Sequence, residues 1–190
     1  MVHLHFKCYK PYGVLSQLSS NDAREVRKKK FLSTMHNFPT GTMPIGRLDE
    51  KSEGLLLLTT DGKLSDAINR NGTEKEYHVQ LDGVITPEAI RLLSAGVTIG
   101  FEGKKYKTKP CTVTKLTTSP ALPPPSPQLR LGRHRPNSWI SITLKEGKFR
   151  QVRKMTAAVG FPTLRLVRVR IGDIVLKGLT EGEVQPLVKL

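Results

Sequence analysis

The residues best suited to chemistry lie in two short segments. The first, Gly46-Arg47-Leu48-Asp49, sets a carboxylate two residues after a guanidinium, beside a glycine and shortly before the apolar run Leu55–Leu58. That placement predicts a loop or strand edge. An acid there serves either as a turn or cap residue, or as a nucleophile or acid/base group in a cleft. The second segment is Glu146-Gly147-Lys148-Phe149-Arg150-Gln151-Val152-Arg153-Lys154-Met155. Here a glycine leads into a helix whose first turns are basic. Cations at a helix start oppose the dipole, so a bound phosphate or carboxylate would account for them. The plain alternative is a solvated basic face.

Other chemistries lack their residues. There is no Gly-rich phosphate loop, no His-Glu-x-x-His and no Cys-x-x-Cys. His3, His5, His36, His78 and His134 are scattered without ligand spacing, and Cys8 and Cys111 stand far apart. Both thiols are expected to be reduced and structural. No cofactor and no metal are expected. Thirty-one Lys and Arg face sixteen Asp and Glu, giving a net charge of +15 and a pI near 10.1. That excess calls for a polyanion. Nucleic acid is favoured over a membrane, because no amphipathic anchor is visible and no apolar run approaches the ~20 residues a span requires. No signal or transit segment is recognisable, so a cytoplasmic location is expected. An enzyme of this composition is expected to work on RNA with side chains alone, and to reach its base by extruding it.

The elements that must position these residues follow from periodicity. Residues 2–9 alternate as a strand, ended by the turn Lys10-Pro11-Tyr12-Gly13. Residues 16–42 are polar and predict a loop with one short helix, including the run Lys28-Lys29-Lys30. Leu55–Leu58 predicts a buried strand bounded by a tight Asp61-Gly62 turn, with a helix over 63–70. Residues 75–82 alternate as a strand. Thr86-Pro87 opens a helix that Gly96 stops. Residues 97–116 suggest a hairpin turning near Glu102-Gly103-Lys104. The Pro-rich stretch 119–128 predicts an extended surface loop, after which Arg130, Arg133, His134 and Arg135 could meet phosphates. A strand is predicted over 138–144 and a helix over 149–159, with Phe149, Val152, Met155 and Val159 on its apolar face. Residues 163–171 alternate again, with Arg168 and Arg170 opposite Val167, Val169 and Ile171, before a turn and closing strand. The class is α+β, with a large, mostly antiparallel mixed sheet and flanking helices.

With these segments in hand, the chain resembles the RsuA/RluB/RluE/RluF family of pseudouridine synthases. GRLDEKSEGLLLLTTDG is similar to that family's catalytic motif, KEYHV at 75–79 to its tyrosine motif, EGKFRQVRKM at 146–155 to its third motif, and Lys10-Pro11-Tyr12-Gly13 to its opening KPxG. The closing LVRVRIGDIVLKGLTEGEVQPL also fits, so four motifs in order and a matching tail span essentially the whole chain. The resemblance implies the pseudouridine synthase catalytic fold over residues 1–190, in two lobes with a central basic cleft. It implies a reaction that detaches uracil from its ribose, rotates it and rejoins it through carbon 5. Asp49 would be the nucleophile, with attack on ring or sugar both open. Arg47 would fill the space left by the flipped uridine. Tyr77 would stack on the ring, with a hydroxyl available for proton removal. Arg153 would pair with Asp49, and Val152 would pack on the base. Arg150, Lys154 and Lys10 would contact RNA.

An N-terminal S4 domain is expected to be absent, as in the short RluE-type members acting on large-subunit (23S) ribosomal RNA, and a monomer is expected. Other readings are a catalytically silent ribosomal-RNA-binding or ribosome-assembly factor, and a synthase acting on small-subunit ribosomal RNA or tRNA. A DNA-binding protein finds no helix-turn-helix pattern here.

Overall fold

The structure, a computed structural model, describes residues 2–129, 131 and 136–190. The phosphate contacts expected of Arg130, Arg133, His134 and Arg135 lie outside those residues. In chain order the first elements are β1 (His5–Lys10), β2 (Val14–Leu15), α1 (Ala23–Lys28), β3 (Lys30–Phe31), β4 (Met43–Ile45), β5 (Glu53–Thr59) and α2 (Gly62–Arg70). Next come β6 (Lys75–Asp82), α3 (Pro87–Ala95), β7 (Thr98–Phe101), β8 (Lys104–Lys107), β9 (Thr112–Leu116) and β10 (Asn137–Leu144). The last are α4 (Gln151–Ala158), β11 (Thr163–Ile171), β12 (Ile174–Val175) and β13 (Val184–Leu187). The class is α+β: among the described residues nine strands form a large, mostly antiparallel sheet, and two short strand pairs stand apart from it. The chain divides into two compact units. Residues up to Thr73 join Arg168–Leu190 in the first, and Glu74–Val167 make the second.

In the first unit the strand order is β13-β1-β5-β11, with β4 antiparallel on β5 and β12 on β11. Cys8 pairs with Leu56 and Phe6 with Leu58. These four alternate residues, with Val14 and Leu32, make the core. All seven residues of β5 are buried, the pattern of a strand covered on both faces. The expected tight turn at Asp61-Gly62 is instead a helix start. Asp61 caps α2, its Oδ1 accepting from the amides of Leu64 (3.1 Å) and Lys63 (3.0 Å).

In the second unit the order is β11-β6-β10-β9. β6 and β10 pair in register from Lys75↔Leu144 to Asp82↔Asn137. Val79, Leu81, Ile140 and Ile142 form the core with Leu93 and Met155. Thr86 caps α3 and Gly96 ends it at φ +87, where a Cβ would lie 2.2 Å from the Thr108 carbonyl oxygen. The hairpin β7–β8 turns at Glu102-Gly103 as expected, and β9 then pairs with β10.

Two expectations need correction. The helix expected from Phe149 begins at Gln151, because Arg150 sits in the left-handed region (φ +53) and Phe149 precedes it, 66% exposed. Of the two arginines expected opposite the valines of β11, Arg168 is buried and Arg170 half-buried, and Arg165 on the same strand is buried as well. Arg168 Nε donates to the Leu55 carbonyl at 2.8 Å.

Both cysteines are free. Burial pushes the Cys8 thiol up to about 12 and the Cys111 thiol up to about 11. A thiolate is the reactive species. The folded protein should therefore resist alkylation at pH 8 and take up label at both positions in denaturant; rapid labelling of Cys8 in the folded protein would contradict this packing.

Candidate active site

In the first unit, the loop between β4 and β5 carries Arg47 and Asp49, and its backbone is fastened at several points. Gly46 turns it at φ +67, and a Cβ there would meet Asn69 Oδ1 at 3.0 Å. The hydroxyl of buried Ser16 accepts from the Leu48 amide (2.9 Å) and donates to the Leu48 carbonyl (2.8 Å). Leu48 itself is buried, while its neighbours Arg47 and Asp49 are exposed and half-buried. The Ser52 amide closes a turn on the Asp49 carbonyl at 3.0 Å, and the Gly13 amide reaches the Glu50 carbonyl at 2.8 Å. The Glu50 carboxylate pairs with Lys29 at 2.8 Å. The acid is thus presented by a backbone held mostly through neighbouring residues.

Lys10 is the least expected member of this loop's support. It has no exposed surface, and its ammonium donates to the carbonyls of Val14 (2.7 Å) and Pro11 (2.9 Å), with that of Glu50 at 3.5 Å. Burial lowers it to about 7, against the opposing charges of Glu53 and Asp49. A phosphate would find no ammonium to touch here, so the RNA contact expected of Lys10 gives way to a structural role: it ties the Pro11–Val14 turn to the loop of Asp49. A groove of about 570 Å³ opens beside this loop, lined by Ser16, Gln17, Thr42, Met43, Arg47 and Asn69 among others.

The second unit holds the other expected residues. Tyr77 lies on β6 opposite Ile142, half-buried against the core. Val152, on the first turn of α4, is buried within that core. Arg153 is half-buried, and its Nη1 lies 3.5 Å from the Thr163 carbonyl at the start of β11. Lys154 Nζ donates to the Gly100 carbonyl at 2.7 Å. Arg150 is half-buried at the left-handed entry to the helix. So the structure gathers Lys10, Arg47 and Asp49 in one unit and Tyr77, Arg150, Val152, Arg153 and Lys154 in the other. Sequence reasoning missed Ser16, which no motif marks, and gave Glu146 and Gln151, within the second segment, no part in organising the loop before α4. Among the described residues no cluster of three or more His, Cys, Asp or Glu could hold a metal, and no helix is long and apolar enough to cross a membrane.

Known proteins resemble this chain in sequence and in fold. Residues 5–158 match the family model described as RNA pseudouridylate synthase. The chain is 43% identical over 166 residues to ribosomal large subunit pseudouridine synthase E of Xanthomonas axonopodis pv. citri, covering 86% of this chain and 83% of that protein. It is 42% identical over 176 residues to the protein of the same name from Xanthomonas campestris pv. campestris, covering 92% and 90%. A crystal structure of a pseudouridylate synthase superposes with a TM-score of 0.77 at 29% identity, covering 98% of this chain and 71% of that one. A match that takes in both the loop of Asp49 and the first turns of α4, with relatives alike over nearly their full length, has one meaning: this chain belongs to the RNA pseudouridylate synthase family.

Proposed function

We propose that this chain converts one uridine of large-subunit ribosomal RNA to pseudouridine without a cofactor, with Asp49 as its nucleophile. The observation that carries the reading is the likeness, at 42–43% identity over most of both chains, to proteins named for that activity on the large ribosomal subunit. The reaction breaks the bond between N1 of uracil and C1′ of ribose and forms one from C5 to C1′. C5 gives up a proton and N1 gains one. The nucleophile's role calls for a carboxylate, which Asp49 carries, and Arg153 brings the planar guanidinium fork that suits one. Tyr77 stacks on the extruded base and returns about 1–3 kcal/mol of the few that unstacking costs. Arg47, exposed beside the acid, fills the vacated space in the RNA, and Val152 bounds the base. Arg150 and Lys154 meet the phosphate backbone, whose charge the excess of Lys and Arg matches.

Pseudouridine mapping of total ribosomal RNA, from cells with and without the gene, tests this. One uridine of the large-subunit RNA should lose its modification in the deletion and regain it on complementation. A lost site in small-subunit RNA or tRNA would move the substrate. No lost site, with the protein still bound to ribosomal precursors, would leave a silent assembly factor.

A further inference from the structure

The second unit displays an aromatic ring that its core does not use. Phe149 is 66% exposed, and Lys154 Nζ sits 5.4 Å from its ring centroid. The ring is held out by a braced loop. Glu146 accepts from Tyr106 Oη (2.5 Å), from the Lys109 amide (2.9 Å) and from Gln151 Nε2 (2.6 Å). Gln151, itself buried, accepts from the Lys148 amide at 2.9 Å. Burial pushes Glu146 up, but these hydrogen bonds outweigh it and hold the carboxyl below its ordinary range. The ammonium of Lys148 lies over Phe101 and Tyr106, 5.0 and 5.2 Å from their centroids. Immediately after Phe149 comes the left-handed backbone of Arg150, a conformation that residues with a Cβ rarely adopt. Had 149 and 150 been helical, the helix periodicity would have turned this ring inward with Val152 and Met155. Strain is retained where surrounding structure enforces it, commonly at a ligand site.

The charge of the hairpin that packs on α4 is one-sided. Lys104, Lys105, Lys107 and Lys109 of the hairpin region are all exposed, against Glu102 alone among carboxylates from 98 to 109. An exposed ring together with exposed lysines matches the pattern that binds single-stranded nucleic acid, where a base stacks on the ring and cations follow the phosphates.

We propose that Phe149 is a stacking platform for an unpaired base of the substrate RNA, distinct from the uridine that reacts, and that Lys104 and Lys105 hold the phosphates flanking that base, the ammonium of Lys107 being taken by the Gly96 carbonyl at 2.6 Å. The inference rests on the reading above only in taking RNA as the ligand. It gives the chain a second point of grip on its substrate, so selectivity would depend on a nucleotide outside the reacting one.

The test is equilibrium binding of the full chain to a protein-free large-subunit ribosomal RNA transcript and to a short single-stranded RNA of mixed sequence, across a salt series. Phe149→Ala should weaken both by about tenfold, within the range for a base stacked on an aromatic side chain. Its dependence of affinity on salt should match the wild type, because no charge is removed. Phe149→Tyr should bind like the wild type. Phe149→Leu, which keeps apolar area but has no ring face, should behave like Phe149→Ala. Lys105→Gln should instead flatten the salt dependence by about one counterion. Equal affinity of wild type and Phe149→Ala overturns the proposal, as does full affinity in Phe149→Leu or failure of the wild type to bind the short RNA. Pseudouridine formation on the transcript is scored in parallel. Product from the wild type with no effect at Phe149 sinks only the platform; a Phe149 effect without any product sinks only the synthase reading.

Discussion

Asp49→Asn and Asp49→Ala should fold, bind ribosomal RNA and form no pseudouridine. The expected loss is at least about 10⁴-fold in single-turnover rate, the scale on which removing a nucleophile acts when binding is left in place. The fold should survive because the loop is fastened largely through the backbone: Ser16 to both polar groups of Leu48, Gly13 to the Glu50 carbonyl, and Ser52 to the carbonyl of residue 49. RNA affinity should hold because the cations remain. Release of tritium from RNA labelled at C5 of uridine, alongside a thermal melt, separates the two effects. Turnover by Asp49→Ala at anything near the wild-type rate would end the assignment of this residue.

Lys10→Met should destabilise the protein by about 3 kcal/mol, because the buried carbonyls of Pro11 and Val14 lose the donor that satisfies them. For a chain of this size that is a fall in Tm of about 10 °C. The pH dependence has a definite sign. Lys10 is lowered from 10.5 to about 7 in the folded protein. Between those values the unfolded chain binds the extra proton, so wild-type stability rises with pH across that window. The Met variant lacks this rise, and the gap between the two proteins should widen from pH 7 towards pH 10. Urea unfolding at the two ends of the window measures it. An equal gap at both would mean that the amine does not titrate as its burial implies.

Period-two alternation was enough to place β6 and β10, and Thr86-Pro87 with Gly96 bounded α3, because each signal is local. Gly46-Arg47-Leu48-Asp49 stood out for the same reason: the chemistry and the turn sit in adjacent residues. What alternation could not show is how many sides of a strand are covered. Arg168 and Arg170 read as the face opposite the valines, yet Arg168 is buried, and its guanidinium finds a backbone carbonyl there. Lys10 likewise reads as part of a turn and as an RNA contact, and only the fold brings the three carbonyls to its ammonium. The start of α4 was misplaced by two residues because one backbone torsion, at Arg150, overrides an apolar spacing that would otherwise include Phe149. Ser16 carries no signal at all; a single hydroxyl becomes important only through the residue it meets.

The pairing of β1 with β13, Cys8 opposite Val184 and His5 opposite Leu187, also bears on how the protein is made. A ribosome releases the first of these strands long before the second. Throughout synthesis, that margin of β1 would have bare amides and carbonyls available to other chains. The second unit, contiguous from Glu74 to Val167, has all its residues on hand while those from Arg168 onward are still being translated. Nascent chains of this protein therefore face their greatest risk of association in the interval before residues 184–187 emerge.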